Sequence, residues 1–140
     1  MAIKTIELSI PSRPGFEKVA MAAAEATARL EGLGDKARDL ATAVSESCLN
    51  AMEHGNGFNP CLPVKLTIRI RPGLLEVDVA DAGTPFTLPS IEPSLRNKIE
   101  GYEEARGWGL YLIRNLVDKM EVRRLPEGNL LRLTVEIPGR

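Results

Sequence analysis

The sequence is poor in residue types that mark several large classes of protein. Among its 140 residues are only two cysteines, Cys48 in a helical pattern and Cys61 in a proline-flanked loop. This pair provides neither a disulfide framework nor the spacing of a zinc site, so a reducing cytoplasmic setting fits best. The single histidine, His54, falls at a predicted helix end, which favours a contact with the helix dipole over a role as metal ligand or phosphate acceptor.

Long apolar runs are also absent. No stretch approaches the ~18 consecutive apolar residues of a membrane span, and the N-terminus lacks the charged and apolar regions of a signal peptide. The formal net charge of −1 provides no overall positive field that would attract nucleic acid. We therefore expect a cytoplasmic protein with no membrane segment and no direct nucleic-acid partner.

The composition that remains, 44% hydrophobic and 26% charged, is typical of a globular protein. The length favours one domain over residues 1–140. Asp35 is expected to cap the second helix. Hydrophobic periodicity predicts strand 3–10, helices 16–30 and 35–54, strands 64–70 and 74–80, helix 108–120, and strands 120–125 and 129–137.

Short hairpin links dominate this order of elements, since "RPG" and "PEGN" each join two strands. The regular alternation of a parallel sheet is missing, which predicts an α/β (α+β) two-layer sandwich, with a mostly antiparallel mixed sheet and the helices on one face. The polar connection over residues 87–105 has no strong core pattern. A connection of that length is usually functional or mobile.

The first motif is a polar stripe on the second helix, where Glu46, Asn50 and Glu53 lie opposite the apolar sector. Taken alone, this stripe favours a solvated helix face. However, asparagine is a poor residue for a helix interior. A carboxylate one turn before a carboxamide is also suited to orient a nucleophile and to hold hydrated Mg²⁺.

The second and third motifs each have a structural and a functional interpretation. "DAGTPF" (81–86) fits ordinary turn chemistry, or Asp81 accepts a hydrogen bond from an exocyclic amine while Gly83 lets the backbone approach a flat ring. "RGWGL" (106–110) fits a loop-to-helix hinge, or a phosphate site at a helix N-terminus. Trp108 in that motif either covers a nucleotide or anchors the segment. Together the three motifs supply a metal and base site, a base pocket and a phosphate cradle, which indicates nucleotide binding.

The same three motifs resemble those of a known family. "ESCLNAMEHG" is similar to the N box, "DAGTPF" to the G1 box and "RGWGLYLIRNLVD" to the G2 box of the histidine-kinase, gyrase and MutL type of ATPase, which has the Bergerat fold. The compact size, "NAMEHG" and "GLYLIRNLVD" most resemble the anti-sigma-factor serine/threonine kinases of the RsbW and SpoIIAB type. The resemblance runs from about Asp35 to the last strand, and the first strand and helix agree in order and length.

The resemblance implies a role for each matching residue. It implies that Glu46 is the general base for the protein hydroxyl and that Asn50 coordinates the Mg²⁺ bridging the ATP phosphates. It further implies that Asp81 binds the adenine amino group and that Gly83 shapes the adenine pocket. The residues implied at the phosphates are Arg106, Gly107, Gly109 and Leu110, and the implied ATP lid is residues 87–105.

Two positions depart from the family pattern. The last hairpin of relatives commonly carries a Gly-Thr pair whose hydroxyl helps to hold adenine through water. The matching pair here is Gly128 and Asn129, and the amide of Asn129 is expected to take that role. Many relatives also place an arginine in the first helix, where partner proteins dock. This chain has Ala20 and Met21 there, so partner specificity is not carried over.

The function implied by the resemblance is an ATP-dependent serine/threonine protein kinase that uses ATP/ADP and Mg²⁺ and acts as an anti-sigma factor. Such a protein sequesters a sigma factor and phosphorylates a STAS-domain anti-anti-sigma factor, and a homodimer is expected. The first alternative is an ATP-binding module that sequesters a sigma factor or another regulator without kinase activity. The second is a stand-alone histidine-kinase catalytic domain, which the lack of a dimerisation helix with an acceptor histidine disfavours.

Overall fold

The strands of the described residues, most of them rich in valine, leucine and isoleucine, form one five-stranded sheet. The computed structural model describes residues 3–83 and 101–139, with only the helical backbone described over residues 101–108. The strands are β1 (Lys4–Ile10), β2 (Val64–Arg71), β3 (Leu74–Asp81), β4 (Lys119–Leu125) and β5 (Gly128–Glu136). Their order is β1-β2-β3-β5-β4, and all pairs formed by described residues are antiparallel. The predicted hairpins and the antiparallel sheet are confirmed.

The helices cover one face of this sheet. They are α1 (Glu17–Leu30), α2 (Lys36–Asn50) and α3 (Gly101–Leu116), and a π-helical turn (Ala51–Gly55) continues α2. Fully buried alanines recur every fourth residue of α1, at Ala20, Ala24 and Ala28. Small side chains at a helix contact let the two axes approach closely, and α1 packs along α2 in this way.

The strands alternate between this core and a polar outer face, as the period of a β-strand requires. In β2, for example, Leu66 and Ile68 are buried in the core. On the outer face Asp78 of β3 accepts hydrogen bonds from Arg69 at 2.6 Å and from Arg132 at 2.7 and 2.9 Å. Burial alone would raise the pKa of Asp78, but these hydrogen bonds and the two positive charges lower it below its ordinary value.

The third helix differs from its prediction. It spans Gly101–Leu116 instead of 108–120, so Gly107 and Gly109 lie inside the helix. Each interior glycine costs about 1 kcal/mol relative to alanine, and the burial of Leu110 and Ile113 offsets such a cost. At the other end Asp118 bonds to β5 through its backbone N–H, donated to the carbonyl of Thr134 at 3.0 Å, and this contact ends the helical path.

One further prediction is wrong, and another falls largely outside the described residues. Asp35 precedes α2, but its side chain makes no capping hydrogen bond, so the predicted cap is wrong. Of the predicted lid over residues 87–105, residues 101–105 belong to α3, and the rest lies outside the described residues. No helix within the described ranges is long and apolar enough to cross a membrane.

Candidate functional site

A pocket opens where the end of α2 meets α3 and the adjacent strands β3 and β5. Three of the sequence motifs contribute to it, because the fold places their elements side by side around this point. Its lining residues are Ser47, Asn50, Ala51, Val79, Asp81, Leu110, Asn129 and Leu131. The structure therefore brings together four of the residues singled out in the sequence, namely Asn50, Asp81, Leu110 and Asn129.

The helix that carries Asn50 changes its winding directly after this residue. Over Ala51–Gly55 the chain forms a π-helical turn, which accommodates an extra residue. The turn ends with the N–H of Asn56 donating to the carbonyl of Ala51 at 2.8 Å. Such turns occur frequently at functional sites. Here the turn carries Gly55 to the end of β3.

Asp81 is a buried acidic residue whose carboxylate has two distinct sides. Its Oδ1 atom accepts hydrogen bonds from the N–H of Gly83 at 3.0 Å, the N–H of Asn129 at 3.2 Å and the Nδ2 of Asn129 at 3.1 Å. Its Oδ2 atom accepts none from the described part of the chain. Since an ionised carboxylate only accepts hydrogen bonds, Asp81 is suited to a ligand that donates one.

Three glycines allow the backbone to pack tightly around Asp81. A Cβ atom added to Gly55 would lie 2.2 Å from the Asp81 carboxylate carbon. One added to Gly83 would lie 1.2 Å from the carbonyl oxygen of Gly55, and one added to Gly128 would lie 2.0 Å from the carbonyl oxygen of Asp81. Contacts this short exclude any side chain at these positions, so the glycines fix the shape of the site.

The second polar group of the pocket, Asn50, faces α3. A Cβ atom added to Gly109 would lie 3.4 Å from Asn50 Nδ2 and 3.5 Å from Asn50 Oδ1. The Nδ2 atom is buried and has no hydrogen-bond partner among the described residues. An unsatisfied buried donor costs about 1–3 kcal/mol, which a bound ligand with acceptor oxygens would recover. The carboxamide is thus available to a phosphorylated ligand.

The described side chains around this pocket do not form a metal site by themselves. No cluster of three or more histidine, cysteine, aspartate or glutamate side chains suited to a metal occurs among residues 3–83 and 109–139, whose side chains the structure describes. Mg²⁺ commonly takes few protein ligands and fills its coordination with phosphate oxygens and water. The donor set around Asn50 therefore fits Mg²⁺ bound together with a nucleotide.

The remaining predicted residues occupy varied positions. Glu46 is half-buried on α2, one turn before Asn50, and Glu53 has a side chain that is 52% exposed, beside His54 at 3.6 Å. The predicted phosphate cradle at a helix N-terminus needs correction, because Gly107 and Gly109 lie inside α3 and not in its first turn. The side chains of Arg106 and Trp108 lie outside the described part of the chain.

Sequence reasoning missed three residues near the pocket: Ser47, Gly55 and Asn56. Ser47 lines the pocket and satisfies its hydroxyl on the carbonyl of Ala43 at 2.7 Å. Gly55 is the last residue of the N-box motif, but the motif predicts no role for it. Asn56 lies in "GNG", which is ordinary turn composition, so no local signal distinguished it.

Known proteins resemble this chain over most of its length. Residues 10–135 match the family model described as a histidine kinase-like ATPase domain. The protein named serine-protein kinase RsbW from Oceanobacillus iheyensis is 30% identical over 122 residues, which cover 84% of this chain and 77% of the relative. Proteins of the same name are 28% identical in Halalkalibacterium halodurans, covering 94% and 82%, and 29% identical in Bacillus subtilis, covering 84% and 77%. A family model that spans most of the chain implies ATP binding, and the chain belongs to the histidine kinase-like ATPase domain family.

Proposed function

We propose that this chain, as one domain over residues 1–140, is an ATP-dependent serine/threonine protein kinase and an anti-sigma factor. The observation that carries the proposal is the convergence of Asn50, Asp81 and Leu110 on one pocket, with Glu46 one turn from Asn50. Similarity to proteins named serine-protein kinases supports the kinase class.

The adenine end of the site is assigned to Asp81. Its Oδ2 atom accepts the hydrogen bond of the adenine amino group. Gly83 shapes the adenine pocket, since without a side chain its backbone can pack against the carbonyl of Gly55. Asn129 holds the carboxylate through its Nδ2 atom, at 3.1 Å from Asp81 Oδ1. The amide that replaces the usual threonine thereby supports adenine binding through Asp81.

The phosphate end is assigned to Asn50 and to the face of α3 that it meets. Asn50 would hold Mg²⁺, which neutralises the negative charge of the phosphates when it is bound. Gly109 leaves room for phosphate oxygens beside the carboxamide, since a Cβ there would lie 3.4 Å from Asn50 Nδ2. Arg106, Gly107 and Leu110 complete this end, and residues 87–105 form the lid, the last five of them as part of α3.

Glu46 is assigned as the general base. Phosphoryl transfer depends mainly on positioning and charge neutralisation, so one carboxylate near the acceptor hydroxyl is a sufficient chemical group. Glu46 accepts the proton of a serine or threonine hydroxyl on the substrate protein as that oxygen becomes bonded to the γ-phosphorus. The bond between the γ-phosphorus and the bridging oxygen of ATP breaks in the same step, and ADP leaves. A protein that only bound ATP would not need a carboxylate at this position.

The substrate is assigned as a STAS-domain anti-anti-sigma factor, and the sequestered partner as a sigma factor. Phosphorylation of the STAS protein would release it from the kinase and leave the kinase free to hold the sigma factor. A homodimer in the cytoplasm is the form in which we expect the protein to act. The alternative is an ATP-binding anti-sigma module without kinase activity.

The test is a phosphotransfer assay with Mg-ATP labelled at the γ-phosphate and the cognate STAS-domain protein. We expect label on the STAS protein in a bond that survives acid, as a phosphoserine or phosphothreonine ester does. Nucleotide binding without transfer would contradict the kinase proposal and favour the sequestering module. An acid-labile product would contradict it in favour of a histidine kinase.

A further inference from the structure

The side chain of Asn56 joins three segments of the chain that are distant in sequence. It is 4% exposed. Its Nδ2 atom donates to Ser12 Oγ at 3.0 Å, to the carbonyl of Leu62 at 3.1 Å and to the carbonyl of Pro63 at 3.2 Å. Its Oδ1 atom accepts from the N–H of Ala82 at 2.9 Å. Both ends of the amide are therefore satisfied in one orientation.

The Asn56 amide cannot take the reverse orientation without losing hydrogen bonds. Rotating the amide by half a turn would place its oxygen against the two carbonyl oxygens and its NH₂ group against the N–H of Ala82. These three partners would then face groups of the same kind, and buried polar groups left unpaired are costly. Asn56 is thus a rigid link and not an adaptable surface amide.

The link ends directly beside the carboxylate of the candidate site. Ala82 follows Asp81, and the next N–H, that of Gly83, donates to Asp81 Oδ1 at 3.0 Å. Gly55, the neighbour of Asn56, packs against the Asp81 carboxylate so closely that a Cβ on Gly55 would lie 2.2 Å from it. The turn over residues 81–83 is consequently held by a hydrogen bond and by steric contact from the same segment.

We propose that Asn56 is a positioning residue for nucleobase recognition. It holds the turn over residues 81–83 so that Asp81 Oδ1 stays engaged by protein donors and Oδ2 stays available to the ligand. This inference rests on the proposed ATP site. It assigns to Asn56 no contact with the nucleotide, since its amide is fully used within the protein.

A fixed acceptor discriminates between purine bases. Adenine carries an amino group at C6, whereas hypoxanthine carries a carbonyl oxygen there, which a carboxylate oxygen repels. Sites that are held rigidly reject such an analogue strongly, because a buried group is left facing the wrong partner. A carboxylate that has become free to shift would tolerate hypoxanthine better and bind adenine less well.

The test compares ADP and IDP binding by titration calorimetry in two variants. Asn56→Ala removes the link to Ala82, and we expect the Kd for ADP to rise about tenfold, the effect of losing one ordinary hydrogen bond, with a smaller change for IDP. Ser12→Ala is the matched control. It removes one partner of Asn56 Nδ2 but keeps the bond to Ala82, so its preference for ADP over IDP should equal that of the wild type.

Asn56→Asp provides a second variant if Asn56→Ala does not fold. It keeps an acceptor for the N–H of Ala82 but loses the donors to Leu62 and Pro63, so it should be less stable while keeping its preference for ADP. Three results would overturn the positioning role: wild-type preference in Asn56→Ala, equal losses of preference in Asn56→Ala and Ser12→Ala, or a loss of preference in Asn56→Asp. A wild-type protein that bound no ADP would instead contradict the proposed function itself.

Discussion

At the scale of single residues, Gly55 determines how closely the end of α2 approaches Asp81. A side chain at this position would meet the carboxylate at 2.2 Å, which no small shift accommodates. We expect Gly55→Ala to lower the free energy of unfolding by about 1–3 kcal/mol, as overpacking of a tight site does. We also expect it to raise the Kd for ADP by about tenfold or more, because displacing Asp81 costs at least one hydrogen bond.

Gly57→Ala is a matched control for this substitution. Gly57 has a φ of +58°, which strains an alanine, but open space surrounds its Cβ position. The control should lose about 1 kcal/mol of stability from backbone strain and keep its affinity for ADP. Equal ADP affinities in Gly55→Ala and the wild type, measured by calorimetry, would refute the role of close packing.

The chemistry of Asp81 can be tested with almost no change in shape. Asp81→Asn retains one oxygen for the three N–H donors now on Oδ1, but it replaces the other oxygen with an NH₂ group. Two donors would then face each other at the adenine amine. We expect the Kd for ADP to rise roughly ten- to a hundredfold, the range for a hydrogen bond to a charged group.

The control for Asp81→Asn is Asp39→Asn, which removes the same charge from an exposed position of α2. Its ADP affinity should match that of the wild type. If Asp81→Asn also bound ADP normally, with an unchanged melting temperature, Asp81 would not be the adenine acceptor.

At the scale of secondary-structure elements, the outer face of the sheet depends on charge pairs across its strands. Asp78 of β3 lies between Arg69 of β2 and Arg132 of β5, and the two arginines lower its pKa despite its burial. A carboxyl with a lowered pKa in the folded state stabilises the fold above its ordinary pKa of 3.8. This stabilisation is lost as the pH falls through the lower, folded-state pKa.

The corresponding prediction concerns the pH dependence of unfolding. Asp78→Asn should lose about 1–3 kcal/mol at pH 7, because two partly buried arginines lose a charged acceptor. The free energy of unfolding, measured with urea, should then decrease less steeply between about pH 5 and pH 2 than it does in the wild type. Parallel curves for the two proteins would show that Asp78 contributes no pH-dependent stability.

The elements also show what could be predicted from sequence. The strands, α1 and α2 follow from hydrophobic period and turn residues, which are local properties. The predicted start of α3 was wrong because its two glycines suggested a loop. Each glycine costs the helix about 1 kcal/mol, and the packing of residues such as Leu110 outweighs this cost. The π-helical turn leaves no comparable local signal in sequence.

The residues that line the site could be predicted from the sequence, but the residues that hold them in position could not. Asn50 and Asp81 could be identified because each lies in a motif of the family that the sequence resembles, and both line one pocket. The role of Asn56 depends on partners at Ser12, Leu62 and Ala82, which only the folded chain brings together. Long-range contacts of this kind cannot be inferred from neighbours in sequence.

At the scale of the whole molecule, the two cysteines provide a probe of global opening. Cys48 is fully buried, and burial, with a further contribution from nearby Glu17, raises its pKa to about 12, so its thiol is unreactive in the folded protein. Cys61 is exposed. We expect one thiol per chain to react with a thiol reagent under native conditions and two after denaturation. Rapid reaction of both native thiols would contradict the packing of α2 against the core.

The division of the molecule into a binding site and a catalytic base is most directly tested with Glu46→Gln, with Glu53→Gln as its matched control. Glu53 is a nearby carboxylate with a 52% exposed side chain. The measurement is transfer of the γ-phosphate to the STAS-domain protein, with the Kd for ADP determined on the same samples. We predict that Glu46→Gln lowers transfer by about a hundredfold or more, the usual contribution of a general base, while its Kd for ADP stays within about twofold. Glu53→Gln should match the wild type in both measurements. Undiminished transfer by Glu46→Gln would contradict the assignment of this chain as a kinase that uses Glu46.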